Sequence, residues 1–132
     1  MIKVEHLVKT FGTTHAVDDI SFEVNEGENM VLLGTSGSGK TTTLKMLNRL
    51  VEPDSGTIAI DGKNILDQPA EILRRSIGYV LQNNGLFPHY TVAENIAIVP
   101  NLLKWDKAKT QKRIEELLEK LHLDKNYLNV YP

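Results

Sequence analysis

Three features of the sequence predict an α/β fold. Apolar and polar residues alternate with strand period through the first part of the chain. A short apolar run at Val31–Leu33 leads through a glycine- and serine-rich loop directly into helical spacing, and the last third carries apolar residues at helical intervals. With 132 residues the chain can bury roughly two-thirds of its unfolded surface, enough for a true core.

The elements follow in order. IKVEHLVKTF reads as a half-buried strand through Ile2, Val4 and, after a slip in the alternation, Leu7. AVDDISFEV alternates better, with Val17, Ile20, Phe22 and Val24 set among acids. NEGE turns the chain into NMVLLG, whose continuous apolar run suits a strand buried on both faces. From Lys40 to Leu50, Leu44, Leu47 and Leu50 with Met46 beside them give helical spacing, and EPDSG stops the helix with turn-forming residues. GTIAIDG alternates again, PAEILRRS is a short helix with proline near its first turn, and IGYVLQ is another apolar strand. TVAENIAIV and WDKAKTQKRIEELLEKLHL are helical. In the second, Ile114, Leu117, Leu118 and Leu121 share one face opposite the charges.

Composition excludes several classes of function. Apolar residues make up 41% and charged residues 24%, an ordinary globular balance, and a net charge of −2 gives no electrostatic reason to expect nucleic acid as a partner. No cysteine is present, so disulfides, thiolate chemistry and cysteine-based zinc sites are all excluded. MIKVEHLVKTFG lacks the apolar centre of a signal peptide, and no run reaches the roughly 18–20 apolar residues of a membrane-spanning helix. The chain is therefore expected to be cytoplasmic and to reach a membrane only through a partner.

The chemistry concentrates in GTSGSGKT, Gly34 to Thr41, which matches G-x-x-x-x-G-K-[ST] between an apolar run and a helix. Glycines at 34, 37 and 39 allow the main chain to approach an anion closely. The loop and the first helical turn present unpaired N–H donors at the positive end of a helix dipole. Lys40 can reach β- and γ-phosphates, Thr41 can give its hydroxyl to Mg²⁺, and Thr42 can contact an α-phosphate. Thr35, Ser36 and Ser38 complete the cradle. A plain glycine–serine linker is the alternative, and the strand–loop–helix context argues against it.

Around this loop, VKTFGTTHAVDDISFEVNEGENMVLLGTSGSGKTTTLKMLNRLVEPDSGTIAIDG resembles the N-terminal half of an ABC-transporter ATPase subunit, as does RRSIGYVLQNNGLFPHYTVAENI. NRLVEPDSG and VLQNNGLFPHYTVAENIA are most similar to importers of glycine betaine and related quaternary-amine osmoprotectants. The resemblance implies a P-loop NTPase fold of ABC ATPase type: an antiparallel N-terminal β-subdomain, part of a parallel sheet, and a truncated helical subdomain. It implies a nucleotide-binding core over residues 1–82 and the start of a helical subdomain over 83–132. It implies that Phe11 stacks on adenine and that Gln82 ligates Mg²⁺ or its water, with ATP and Mg²⁺ as cofactors. It also implies that Gly85–Asn95 receives a membrane-spanning permease subunit, holding the protein on the inner face of the cell membrane, and that a second copy of the ATPase subunit is a partner in a homo-oligomer.

The resemblance also sets out what hydrolysis needs beyond a phosphate cradle. In the family an acid on a later strand orients Mg²⁺, a neighbouring glutamate polarises water, and an SGGQ signature and a histidine contact the γ-phosphate. None of these matches a place in the 132 residues, and His6, His15, His89 and His122 all stand elsewhere. The expectation is a chain corresponding to the first half of a subunit, which binds ATP without turning it over and has no catalytic residue of its own. The alternative is a non-hydrolysing nucleotide-binding or interaction module. A small kinase or GTPase is disfavoured by the lack of an arginine-rich lid and of an NKxD stretch. The missing strands would lie between Val31–Leu33 and Ile77–Leu81. That leaves direct pairing of the two, completion by a second copy, or a loosely ordered P-loop half.

Overall fold

The computed structural model describes residues 1–82 and 85–132. They form two compact units, Met1–Gly78 and Tyr79–Pro132. Residue 83, where the sequence reading begins its second domain, lies outside the described residues. The structure divides the chain after Gly78 and so places Gln82 in the second unit.

The first unit is built on an antiparallel sheet of β1 (Ile2–Phe11), β2 (Thr14–Val24), β3 (Ser55–Ile60) and β4 (Lys63–Asn64), in the order β2-β1-β3-β4. Strand β1 runs through the middle, with Val4 opposite Phe22 on one side and Ile58 on the other. The slip in its alternation is a bulge. Its ladder to β2 shifts between Val4 and Leu7, and His6 in that interval takes a left-handed φ of 51°. Strict alternation would send Val4 and Leu7 to opposite faces. The extra residue turns both inward, to 1% and 0% exposure. Across the ladder, Gly56 (φ 93°) lies so close to the His6 carbonyl that a side chain there would collide with it, so the bulge requires that glycine.

One core joins the sheet to the helical elements. Val4, Leu7, Val17 and Ile58 meet Met46 of α1 (Lys40–Leu47), Ile65 of a 3₁₀ turn (Ile65–Asp67) and Leu73 of α2 (Ala70–Arg75). Helix α1 ends at Leu47, one turn short of the Leu50 its apolar spacing suggests, because Asn48 and Arg49 close it.

Two expected strands do not form. Residues 31–33 and 77–81 take no place in the sheet, and Val31, Leu33 and Val80 are 73%, 89% and 93% exposed. The expected partial parallel sheet is thus replaced, among the described residues, by the antiparallel sheet alone. The cause lies in the ladder: a run apolar on both faces becomes a strand only when neighbours satisfy its backbone groups along its edges. Strands β1 to β4 pair with one another, and neither run joins the ladder at the outer strands, β2 and β4.

The second unit consists of α3 (Val92–Leu102), α4 (Lys107–Lys120) and a 3₁₀ turn (Lys125–Asn129). The apolar stripe of α4 buries Ile114 and Leu118, with Thr110 beside them. Asp106 caps α4 by accepting the Ala108 and Lys109 N–H groups. Among the described residues, no helix is long and apolar enough to cross a membrane.

Candidate phosphate-binding site

Gly39 sets the geometry of the loop. It caps α1 with φ 86° and lies against the Ala16 carbonyl of β2, where any Cβ would collide. A side chain there would strain the backbone and push the helix off the sheet. The first intrahelical bond runs from the Thr43 N–H to the Gly39 carbonyl at 2.8 Å, and the buried Thr43 hydroxyl donates to the same oxygen at 3.1 Å. The N–H groups of Lys40, Thr41 and Thr42 come before that bond. They leave the helix at its positive end without an intrahelical acceptor.

Lys40 closes the loop on itself. Its Nζ donates to the Gly34 carbonyl at 2.8 Å, the Thr35 carbonyl at 2.6 Å and the Ser38 hydroxyl at 3.1 Å. An ammonium has three protons, and three loop oxygens take them. The Ser38 N–H also donates to the Thr35 carbonyl at 3.3 Å. Gly34 passes so close to Ser38 that a Cβ there would stand 2.5 Å from its hydroxyl. Residues 37–42 line a hollow of about 130 Å³. A second hollow of about 350 Å³ lies between β2 and the loop, lined by His15, Asp18, Leu32, Leu33, Lys40 and Thr43 among others. This combination of a fixed cation, hydroxyl side chains and helix-start N–H groups without intrahelical acceptors fits an anionic oxygen cluster such as a phosphate.

The structure brings Gly34, Thr35, Ser36, Gly37, Ser38, Gly39, Lys40, Thr41 and Thr42 into one continuous loop and helix start. It does not gather every candidate there. Phe11, at the end of β1, is 51% exposed with the Lys9 ammonium 5.4 Å from its ring centroid, and it lines neither hollow. Gln82 is exposed in the second unit. Among the described residues no cluster of three acids or histidines could hold a metal ion. Sequence reasoning missed Ala16, His15 and Asp18. Their only signal is that β2 must lie flush against a helix start, which favours a small residue opposite Gly39.

The 85–95 segment of the second unit is organised by Asn95. Its Oδ1 accepts the Phe87 N–H at 2.9 Å, and its Nδ2 donates to the carbonyls of Phe87, Tyr90 and Thr91 at 3.0–3.1 Å. The rings of Phe87, His89 and Tyr90 pack together with centroids 4.6–5.9 Å apart. They lead into a groove of about 570 Å³ whose walls include Ala97, Ile98 and Leu102.

Comparison with known proteins decides the family, since residues 17–131 match the ABC transporter domain. The chain belongs to the ABC transporter family. Among relatives of this ABC domain, it is 52% identical to the osmoprotectant import ATP-binding protein of Salmonella typhimurium and 52% identical to the glycine betaine uptake system ATP-binding protein of Escherichia coli. It is 49% identical to the glycine betaine/carnitine/choline transport ATP-binding protein of Bacillus subtilis. Each alignment covers 100% of this chain but only 36%, 43% and 35% of those relatives, so the chain spans about two-fifths of their length. A bacterial ABC transporter cassette solved as a dimer superposes with a TM-score of 0.86 at 31% identity over 100% of this chain and 62% of that one. A dimeric ATP-binding cassette bound to ADP and Pi gives 0.85 at 28% identity, with the same coverage. The resemblance read from the sequence and the ABC ATPase fold are both borne out.

Proposed function

We propose that this chain is the nucleotide-binding portion of an ATP-binding subunit serving an importer of osmoprotectants such as glycine betaine. The observation that carries the reading is the closure of residues 34–42 around Lys40 at the start of α1. The names of the relatives support the transported class.

The loop N–H groups and Lys40 hold the phosphates of ATP, with Lys40 exchanging three uncharged loop oxygens for charged phosphate oxygens, a stronger hydrogen-bond class. Thr41 offers its hydroxyl to Mg²⁺, which takes oxygen ligands and keeps most of its waters. Thr42 binds the α-phosphate. Phe11 stacks on the adenine, and Gln82 reaches the metal or its water. Bound ATP and Mg²⁺ supply the charge that these groups read. The organised face at Gly85–Asn95 docks a membrane-spanning permease subunit and keeps the protein on the cytoplasmic side of the cell membrane. A second copy faces the site, as the dimeric form of the solved cassettes supports. These 132 residues bind nucleotide without turning it over, because no residue in them matches the family's activating acid or signature.

Melting the chain with and without MgATP tests the reading. Ligand at about 100 times its dissociation constant adds ~2.7 kcal/mol, a shift of several degrees at this size. Lys40→Ala is expected to abolish the shift, and phosphate release from the same sample is expected to stay at background. An equal shift in Lys40→Ala would remove the phosphate loop from the binding site, and Lys40-dependent phosphate release would overturn binding without turnover.

A further inference from the structure

The far end of α1 is built as carefully as the phosphate end. Helix α1 has eight residues, a length of about 12 Å, and a helix so short is not stable by itself. Only Thr43 and Met46 are buried along it. After Leu47 the chain closes in a Schellman turn: the Arg49 N–H donates to the Met46 carbonyl at 3.0 Å and the Leu50 N–H to the Lys45 carbonyl at 2.8 Å. The turn requires a left-handed residue just past the cap, normally glycine. Here it is Arg49, with φ 54°.

The Arg49 side chain accounts for that exception. It is 16% exposed, and its Nη1 donates to the Ile65 carbonyl at 3.2 Å and the Gln68 carbonyl at 2.8 Å, the stretch that leads into α2. Its Nε and Nη2 both donate to Glu52 Oε1, at 3.1 and 2.9 Å. Arg74 of α2 returns the contact. Its Nε donates to the Asn48 carbonyl at 3.1 Å and its Nη2 to the Arg49 carbonyl. Two guanidinium groups thus cross in opposite directions between the end of α1 and the Ile65–Arg75 segment, which is itself anchored in the core by Ile65 and Leu73. Cations at a helix C-terminus also oppose its negative pole.

We propose that Arg49 and Arg74 are positioning residues of the phosphate site: by fixing the C-terminal end of α1, they fix the orientation of the loop and first turn at its other end. This rests on the nucleotide-binding reading above. An anion cradle made of backbone N–H groups holds its ligand only as well as the helix carrying those groups is held.

The test compares the full chain with Arg49→Gly, Arg74→Ala and, as a control on the same helix, Arg75→Ala. Amide hydrogen exchange is followed in the ligand-free proteins, and MgATP affinity is measured by titration. Both bridge variants are expected to speed exchange at Thr43–Leu47 while the β1 and β3 amides keep their protection. Affinity is expected to fall roughly fivefold or more, the size of an ordinary coupling between sites. Arg75→Ala is expected to change neither. Arg49→Gly separates the possibilities: if Arg49 only fills the turn, glycine relieves the strained backbone, the melting temperature rises and α1 stays protected. That result overturns the proposal, as does a loosened α1 with unchanged affinity. A wild-type chain that does not bind MgATP would overturn the nucleotide reading, and exchange in the free chain would still decide whether the bridge fixes α1.

Discussion

Asp54 ties the return from α1 to the central strand through two oxygens. One accepts the Lys9 ammonium at 2.7 Å and the other the Thr10 N–H at 2.7 Å. The bond from Lys9, then that from Thr10, hold its carboxyl below the ordinary value of 3.8. A carboxylate with a lowered folded pKa stabilises the fold fully above its ordinary pKa, and that stabilisation is lost as the pH falls through the folded value. Asp54→Asn is therefore expected to lower stability at neutral pH and to flatten the fall in melting temperature below about pH 4, read from thermal melts across pH. Residues differ in how far the sequence reveals them. Lys40 and its loop are legible because their chemistry lies within a few positions of one another. Arg49 is not, because its partners at Ile65, Gln68 and Arg74 come from a later segment that only the fold brings near.

Helix α3 opens with a reciprocal cap. The Thr91 hydroxyl accepts the Glu94 N–H at 3.3 Å, and a Glu94 oxygen accepts the Thr91 N–H at 2.8 Å. The Thr91 backbone bond, then the Thr91 hydroxyl, pull the Glu94 carboxyl below its usual range. Thr91→Ala is expected to cost about 1 kcal/mol, measured by urea denaturation. It should also loosen the 87–91 turn that Asn95 holds from the next turn of the helix. Local chemistry makes such elements partly readable: α4 forms where its spacing puts it and buries Ile114 and Leu118, while Leu121 falls past its end and is exposed, and α1 closes at Asn48 and Arg49, ahead of EPDSG. The runs at 31–33 and 77–81 read as strands because apolar composition is local, but a strand exists only in its ladder, and the ladder is not written in the run itself.

In the first unit, a single packed centre joins three strands to both helices and the 3₁₀ turn, with Leu7 fully enclosed at the bulge of β1. Leu7→Ala is expected to cost about 2–5 kcal/mol, a large share of the stability of a domain this size, measured by denaturant melts at 25 °C. The sheet order carries a consequence of another kind. Because β1 lies between β2 and β3, residues 25–54 leave the sheet on one side of it and re-enter on the other, so the whole phosphate apparatus rides on a loop whose ends the sheet clamps. The entropy of closing such a loop grows slowly, by about 0.6 kcal/mol for each doubling of its length. Residues added at the Asn25–Glu28 turn would barely burden folding, so descendants of this chain are free to lengthen or reshape the approach to the phosphate loop while inheriting the sheet unchanged.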